Sequence, residues 1–311
     1  MDPEVRALLD AMAAASANAP KLWEMEPAAA RQLMDTQFVA MMNQGAPEMA
    51  SIVEHIAPGP LGGVPVKVFT PKGTGPFPLL VYLHGGGFVI GSPDTHARLT
   101  ALFADGAGCA VASVHYRLAP EFPAPAALGD CVAAVRWALA NAEFLGVDAS
   151  KYVIGGDSAG ANLTAAACLR LRDDGDPLPA LQYLIYGAYD FDISKPSFRQ
   201  NGEGYMLELQ AIDWFMKQYI QDEACRTDPY VAPNLAADLS GLPPTFMQVG
   251  TLDPLLDDSF VYGNRLARAG VPVELKVYRD MIHGFLQMDA MLTGAKEALS
   301  DGIGALRRAF G

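Results

Sequence analysis

Basic residues are scarce in this chain. Of 311 residues only 22 are Lys or Arg, against 35 Asp or Glu, which leaves a formal net charge of −13 at pH 7. A surface of that sign repels phosphate backbones and anionic headgroups, which argues against a nucleic-acid partner or a membrane partner. Cysteine is rare too. Cys109, Cys131, Cys168 and Cys225 stand far apart with no C-x-x-C pair, so the spacing offers neither a thiolate metal site nor a disulfide framework and reads as four reduced thiols. No apolar run approaches the ~18 residues that a membrane span needs. The chain opens Met1-Asp2-Pro3-Glu4 without a basic n-region or an unbroken apolar stretch behind it, so no secretory leader is expected and a cytoplasmic protein is. Only five histidines are present, which leaves few candidates for imidazole chemistry.

Apolar residues, by contrast, make up 51% of the chain, enough at this length to bury a large core without disulfides or metals. Their spacing changes along the chain. Over the first ~45 residues it is helical, with Val5, Leu8, Leu9, Met12 and Ala13 in one run. After Pro20 a second helical run over 28–42 carries Leu33, Met34, Phe38, Met41 and Met42. From about Ser51 short β-rich runs bounded by Gly and Pro take over, at 52–56, 64–70, 79–83, 110–116, 152–155, 181–186, 246–249 and 273–278. Helical patterns at 95–106, 127–142, 159–172, 254–269 and 292–310 alternate with the later ones. That alternation predicts an α/β fold with an eight-stranded, mostly parallel sheet flanked by helices on both faces. The first two strands have no helix between them and are expected as an antiparallel pair at one edge.

The stretch 190–242 breaks the alternation. It holds one helical piece, 207–220, with Ile212, Phe215, Met216 and Tyr219 at helical spacing, and is otherwise Pro-rich loop. An insertion of that length between two strands usually serves function. The expected organisation is therefore an N-terminal helical cap segment (1–45), a catalytic α/β domain in two parts (46–189 and 243–311) and a cap insertion (190–242).

The residues that carry chemistry begin with Gly155-Gly156-Asp157-Ser158-Ala159-Gly160-Ala161-Asn162. A strand precedes this run and a long helix follows it, the context in which G-x-S-x-G forms a sharp elbow. Close approach of neighbouring chains excludes bulky side chains two residues before and after the serine, and Gly156 and Gly160 meet that need. The turn exposes the Ser158 hydroxyl at a helix N-terminus, where N–H groups favour developing negative charge. Upstream, His84-Gly85-Gly86-Gly87-Phe88 follows the strand at 79–83. Three glycines leave backbone N–H groups uncovered, and the donors expected for an oxyanion hole are Gly85, Gly86 and Ala159.

The serine needs a base. His283, just past the last strand and before the last helix, falls at the carboxyl edge of the sheet with Ser158. His96, at a helix start near the glycine loop, is the competing candidate. His84 is expected to anchor the loop, while His115 and His55 fall inside strands. The acid that orients the imidazole is expected at the end of the strand before that helix and strand, which selects Asp253, with Asp257 or Asp258 as substitutes. Asp157 is expected to bond to neighbouring backbone.

His84 to Phe88, the run Tyr116-Arg117-Leu118-Ala119-Pro120-Glu121, Gly156-Asp157-Ser158-Ala159-Gly160, Asp253-Pro254-Leu255 and His283-Gly284-Phe285 together resemble the bacterial hormone-sensitive-lipase family of esterases, in its GDSAG subgroup. The resemblance runs from about residue 50 to the end, and the N-terminal helices and the 190–242 insertion match that family's cap. It implies an α/β-hydrolase fold and a carboxylic ester hydrolase acting on short- to medium-chain acyl esters, with no cofactor and no metal. Amidases and lactonases share the same triad, and the sequence does not separate them from esterases. Plant gibberellin receptors, small-molecule receptors on the same scaffold, lack the histidine that this chain keeps as His283. Met34, Phe38, Met41 and Met42 from one cap segment, and Met206, Leu207, Trp214 and Phe215 from the other, are candidates for an apolar pocket, together with Phe88 and Phe285. The Arg and Glu of the 116–121 run read as a brace beneath the site. A homodimer through the last strand and helix stays open, since no residue argues for it.

Overall fold

The β-branched and aromatic runs fold into eight strands: β1 (Ser51–Gly59), β2 (Gly62–Thr70), β3 (Phe77–Leu83), β4 (Ala110–Val114), β5 (Val147–Asp157), β6 (Gln182–Ile185), β7 (Thr245–Leu252) and β8 (Val273–Ile282). The computed structural model describes residues 1–17 and 19–311, with the side chains of Gln37, Phe38, Ala40 and Met41 outside the description. The strands make one sheet in the order β1-β2-β4-β3-β5-β6-β7-β8. β1 pairs antiparallel with β2 through the two-residue turn Pro60-Leu61, and β2 pairs antiparallel with β4; every further pairing is parallel. The fold is thus the mostly parallel α/β sheet that the alternation predicts. β4 stops at Val114, so His115, expected inside it, lies past its end and is exposed.

The helices, in chain order, are α1 (Pro3–Ala15), α2 (Pro27–Leu33), α3 (Val39–Met42), α4 (Ala97–Ala107), α5 (Ala126–Ala140), α6 (Ala142–Leu145), α7 (Ala159–Asp174), α8 (Pro196–Asn201), α9 (Leu209–Tyr219), α10 (Leu256–Arg268) and α11 (Thr293–Phe310). Among the described residues no helix is long and apolar enough to cross a membrane. The run expected to be helical over 28–42 is helical throughout, as α2, a π-helical turn (Met34–Phe38) and α3 in unbroken succession.

Side chains of a strand alternate between faces, and both faces of this sheet are covered. On β3, Leu79, Val81 and Leu83 join a core with Leu128 of α5, Leu163 and Cys168 of α7, and Tyr262 and Leu266 of α10. Leu80 and Tyr82 face the other way, into a core with Leu99 and Phe103 of α4 and Leu299 and Leu306 of α11. A β3 that is buried on both sides reads as an unbroken apolar run, and its carboxyl end is held rigidly. The N-terminal segment divides. Val5 of α1 packs into the second core, and the Glu4 carboxylate accepts the Thr293 N–H at 2.7 Å at the start of α11. From Leu22 onward the segment lies over the carboxyl edge of the sheet, next to α9.

Candidate active site

Four loops leave the sheet at the carboxyl ends of β3, β5, β7 and β8, and each delivers one piece of the site. Parallel neighbours end on the same edge, so residues 84, 158, 253 and 283 converge although the chain separates them widely. At the end of β5 the chain turns into α7 through Ser158, whose φ of 54° and ψ of −118° is a strained backbone for a residue with a side chain. The two flanking glycines explain how the turn closes. A Cβ on Gly156 would sit 2.4 Å from the Leu83 carbonyl oxygen, and one on Gly160 only 1.9 Å from it. The Ser158 N–H donates to Ile185 O at 2.8 Å, which ties the elbow to β6.

The imidazole of His283 faces the serine. Its Nε2 lies 2.9 Å from Ser158 Oγ, and its Nδ1 lies 2.9 Å from Oδ2 of Asp253. Both His283 and Asp253 are buried. The second carboxylate oxygen of Asp253 accepts the Leu255 N–H at 2.8 Å, and its backbone carbonyl accepts from Asn201 Nδ2 of α8 at 3.0 Å, so the acid is fixed from both ends. The other acids considered at this position are engaged elsewhere. Asp257 accepts the Ser197 N–H, and Asp258 is buried beside Lys195 with its carboxyl pushed up to about 7 by burial.

The glycine loop that follows β3 is anchored by Asp157. Oδ1 of this buried carboxylate accepts the Tyr82 hydroxyl at 2.8 Å and the Gly85 N–H at 2.9 Å. Burial alone would raise its pKa, but the neighbouring His96 and the Tyr82 hydroxyl hold it below the ordinary range. This bond corrects one expectation: the Gly85 N–H is already spent on Asp157 and is turned away from any oxyanion. Among the described residues the N–H groups of Gly86, Gly87 and Phe88 make no hydrogen bond, and the two glycine donors lie across from Ala159. Gly86 and Gly87 have φ of 120° and 58°, backbone that glycine adopts readily. His84 lies beneath the loop, stacked on Tyr116, with Nδ1 donating to Gly85 O at 2.8 Å. Burial and nearby His96 push its pKa down to about 3, so it stays neutral. His96 bonds through Nδ1 to Thr95 Oγ1 and faces Asp157 and Gln287 through Nε2, not Ser158.

Above Ser158 opens a cavity of about 370 Å³. Phe88, Met206 and Leu207 line it; Phe285 does not, because it is fully buried under the site against Tyr186 and Tyr278. The Phe38 side chain lies outside the described residues. Of the residues expected in a cap, Met34 and Phe215 reach the cavity, whereas Met42 does not and Trp214 is buried in the core. Ile212, Phe215, Met216 and Tyr219 form one stripe of α9 and all face the cavity; Trp214 is off that stripe. Met12, Leu22 and Trp23 from the N-terminal segment also line it and carry no sequence signal that would have selected them. The brace in the 116–121 run has other partners than its own Arg and Glu: Glu121 pairs with Arg31 of α2, and Arg117 with Asp130 of α5.

Residues 80–287 match the family described as having the alpha/beta hydrolase fold. The carboxylic ester hydrolase LipN of Mycobacterium tuberculosis is 41% identical over 256 residues, 80% of this chain and 68% of LipN. The ethyl acetate hydrolase of Pseudomonas putida is 37% identical over 249 residues, 79% of this chain and 78% of its own. Among solved structures, an ester hydrolase from the metagenome of Lake Arreo, complexed with a bipyridine phosphonate derivative, superposes with a TM-score of 0.95 at 37% identity, covering 100% of this chain and 99% of that one. A hyperthermophilic esterase of Pyrobaculum calidifontis does so with a TM-score of 0.93 at 32% identity, covering 99% and 98%. The chain belongs to the α/β-hydrolase-fold family. Within it the chain is an enzyme of the hormone-sensitive-lipase-like branch, among the esterases.

Proposed function

We propose that this enzyme is a carboxylic ester hydrolase that cleaves short- to medium-chain acyl esters, with Ser158 as nucleophile, His283 as general base and acid, and Asp253 as the group that orients the imidazole. One observation carries the reading: Asp253 Oδ2, His283 and Ser158 Oγ stand in line with two 2.9 Å contacts. His283 takes the Ser158 proton as Oγ attacks the ester carbonyl, and the buried Asp253 carboxylate holds the tautomer and stabilises the imidazolium. The tetrahedral oxyanion is stabilised by the N–H groups of Gly86, Gly87 and Ala159. His283 then protonates the departing alkoxide, and a water activated by the same imidazole releases the acid from the acyl-serine. The helix that starts at Ala159 adds a favourable field at its N-terminus.

The acyl preference rests on the cavity. At about 370 Å³ it lies near the lower end of the range for small-molecule sites, and its wall is built from Phe, Met, Leu and Ile side chains. Methionines such as Met34, Met206 and Met216 adapt to different chain shapes, which supports breadth within that size limit. The test is hydrolysis of p-nitrophenyl esters from acetate to palmitate by the wild type and by Ser158→Ala. The expected result is a maximum at short or medium chains and a loss of at least ~10³-fold in the variant. Activity that persists in Ser158→Ala, or a rate that peaks at palmitate, would sink the reading.

A further inference from the structure

We infer that Arg31, on the N-terminal helix α2, is a positioning residue for the oxyanion loop; the inference rests on Gly86 and Gly87 being donors of that hole. Arg31 stands 58 residues from the loop in sequence, yet its Nε donates to Val89 O at 2.7 Å. Its Nη2 donates to Ala119 O at 2.6 Å, and Nη1 and Nη2 hold the two Glu121 carboxylate oxygens at 2.7 and 2.6 Å. Glu121 is held below the ordinary carboxylate range by this guanidinium, so the pair stays charged and oriented.

The loop needs such a hold. Gly86, Gly87 and Phe88 are three successive residues at positive φ, and Phe88 at 65° has a side chain to accommodate. A strained run of this kind persists only when its surroundings over-determine it. On the amino side the hold is Asp157 on the Gly85 N–H. On the carboxyl side Ala119 N–H donates to Phe88 O at 2.9 Å, and Arg31 bridges the next carbonyl, Val89 O, to Ala119 O. The donors of Gly86 and Gly87 hang between these two anchors. The second anchor belongs to the segment that also lines the pocket, so the cap acts on the reaction as well as on access. A lysine cannot reproduce the fork, because one ammonium has no planar array of N–H groups to span two carbonyls and a carboxylate.

The test compares the full-length wild type with Arg31→Ala, Arg31→Lys and Glu121→Gln. The readouts are kcat and KM on p-nitrophenyl butyrate and inhibition by an alkyl trifluoromethyl ketone and its methyl ketone analogue. The trifluoromethyl ketone adds to the serine and presents an oxyanion, whereas the methyl ketone tests ground-state binding alone. For Arg31→Ala, kcat is expected to fall ~10- to 10²-fold, as for a displacement of about 1 Å, with KM changed less than about threefold. The trifluoromethyl ketone should weaken by the same factor and the methyl ketone not at all, with Arg31→Lys in between and Glu121→Gln, which keeps one acceptor for the fork but loses the charge, shifted the same way by a smaller factor. Unchanged kcat in a folded Arg31→Ala, or in Arg31→Lys where the alanine variant does not fold, overturns the inference. So does a parallel loss of KM and of both ketones, which would mean that Arg31 only closes the pocket. A wild type that the trifluoromethyl ketone does not inhibit would instead overturn the reading of the oxyanion hole itself.

Discussion

Asp157 Oδ1 accepts the Gly85 N–H at 2.9 Å across 72 residues of sequence, and this bond takes the first glycine donor of the loop out of the proposed oxyanion hole. The carboxylate beside the serine is thereby part of the frame that holds the loop and is spent on it. Asp157→Ala frees the Gly85 N–H and orphans the buried Tyr82 hydroxyl, so a loss of kcat of ~10²–10³ is expected, with a clear fall in melting temperature. Asp157→Asn keeps an acceptor for both donors and should lose less than about tenfold. Steady-state kinetics on one short ester would check both, and an Asp157→Ala enzyme with normal kcat would refute the anchoring role.

The contact between Asp253 and His283 Nδ1 predicts a different failure. Asp253→Asn leaves a group of the same shape but removes the charge and presents the wrong tautomer to the serine. The expected loss in kcat is about 10⁴, with KM and thermal stability nearly unchanged. A drop below about tenfold would show that another acid, such as Asp257, orients the imidazole.

Phe215 lies directly over Gly87, where an added Cβ would come within 2.3 Å of its ring. Its removal opens the cavity toward α9. Phe215→Ala should move the preferred p-nitrophenyl ester to a longer chain and slow the shortest one, because a small acyl group loses its packing wall. An unshifted chain-length profile would place the acyl group elsewhere in the cavity.

His84 supplies a pH dependence with a definite sign. Its pKa is pushed down to about 3, chiefly by burial, while an unfolded chain returns it to about 6.5. Above about 6.5 the histidine is neutral in both states and costs nothing. Below it the unfolded chain binds a proton that the folded chain refuses, so stability falls as pH drops from about 6.5 toward 3. Melting temperatures measured from pH 7 to pH 4 should fall more steeply for the wild type than for His84→Asn, whatever the absolute stability of the variant. Equal slopes would assign the acid sensitivity to other groups.

The sheet, the elbow and the order of the site residues were legible in the sequence because each is written in local physics. Short β-rich runs bounded by Gly and Pro mark the eight strands, and runs of helical spacing mark helices between them. Gly156 and Gly160 bracket Ser158 because a Cβ at either place would run into Leu83 O, a constraint visible as two glycines at fixed offsets. His283 and Asp253 fall at ends of parallel strands, and parallel strands present their ends on one edge. The α9 stripe, too, appears as Ile212, Phe215, Met216 and Tyr219 at helical spacing.

Only the tertiary structure decided which backbone donors are free, and which partners the charged side chains choose. Three adjacent glycines look alike in sequence; the Asp157 carboxylate, brought up by a different strand, takes the first and leaves the next two. Likewise Glu121 stands four residues from Arg117, yet the guanidinium that reaches it is Arg31, ninety residues away. Met12, Leu22 and Trp23 became pocket wall, and Phe285 became floor packing, for the same reason. Hydrogen bonds and contacts of this kind depend on where separate elements meet in space, and local spacing in the chain does not encode that meeting.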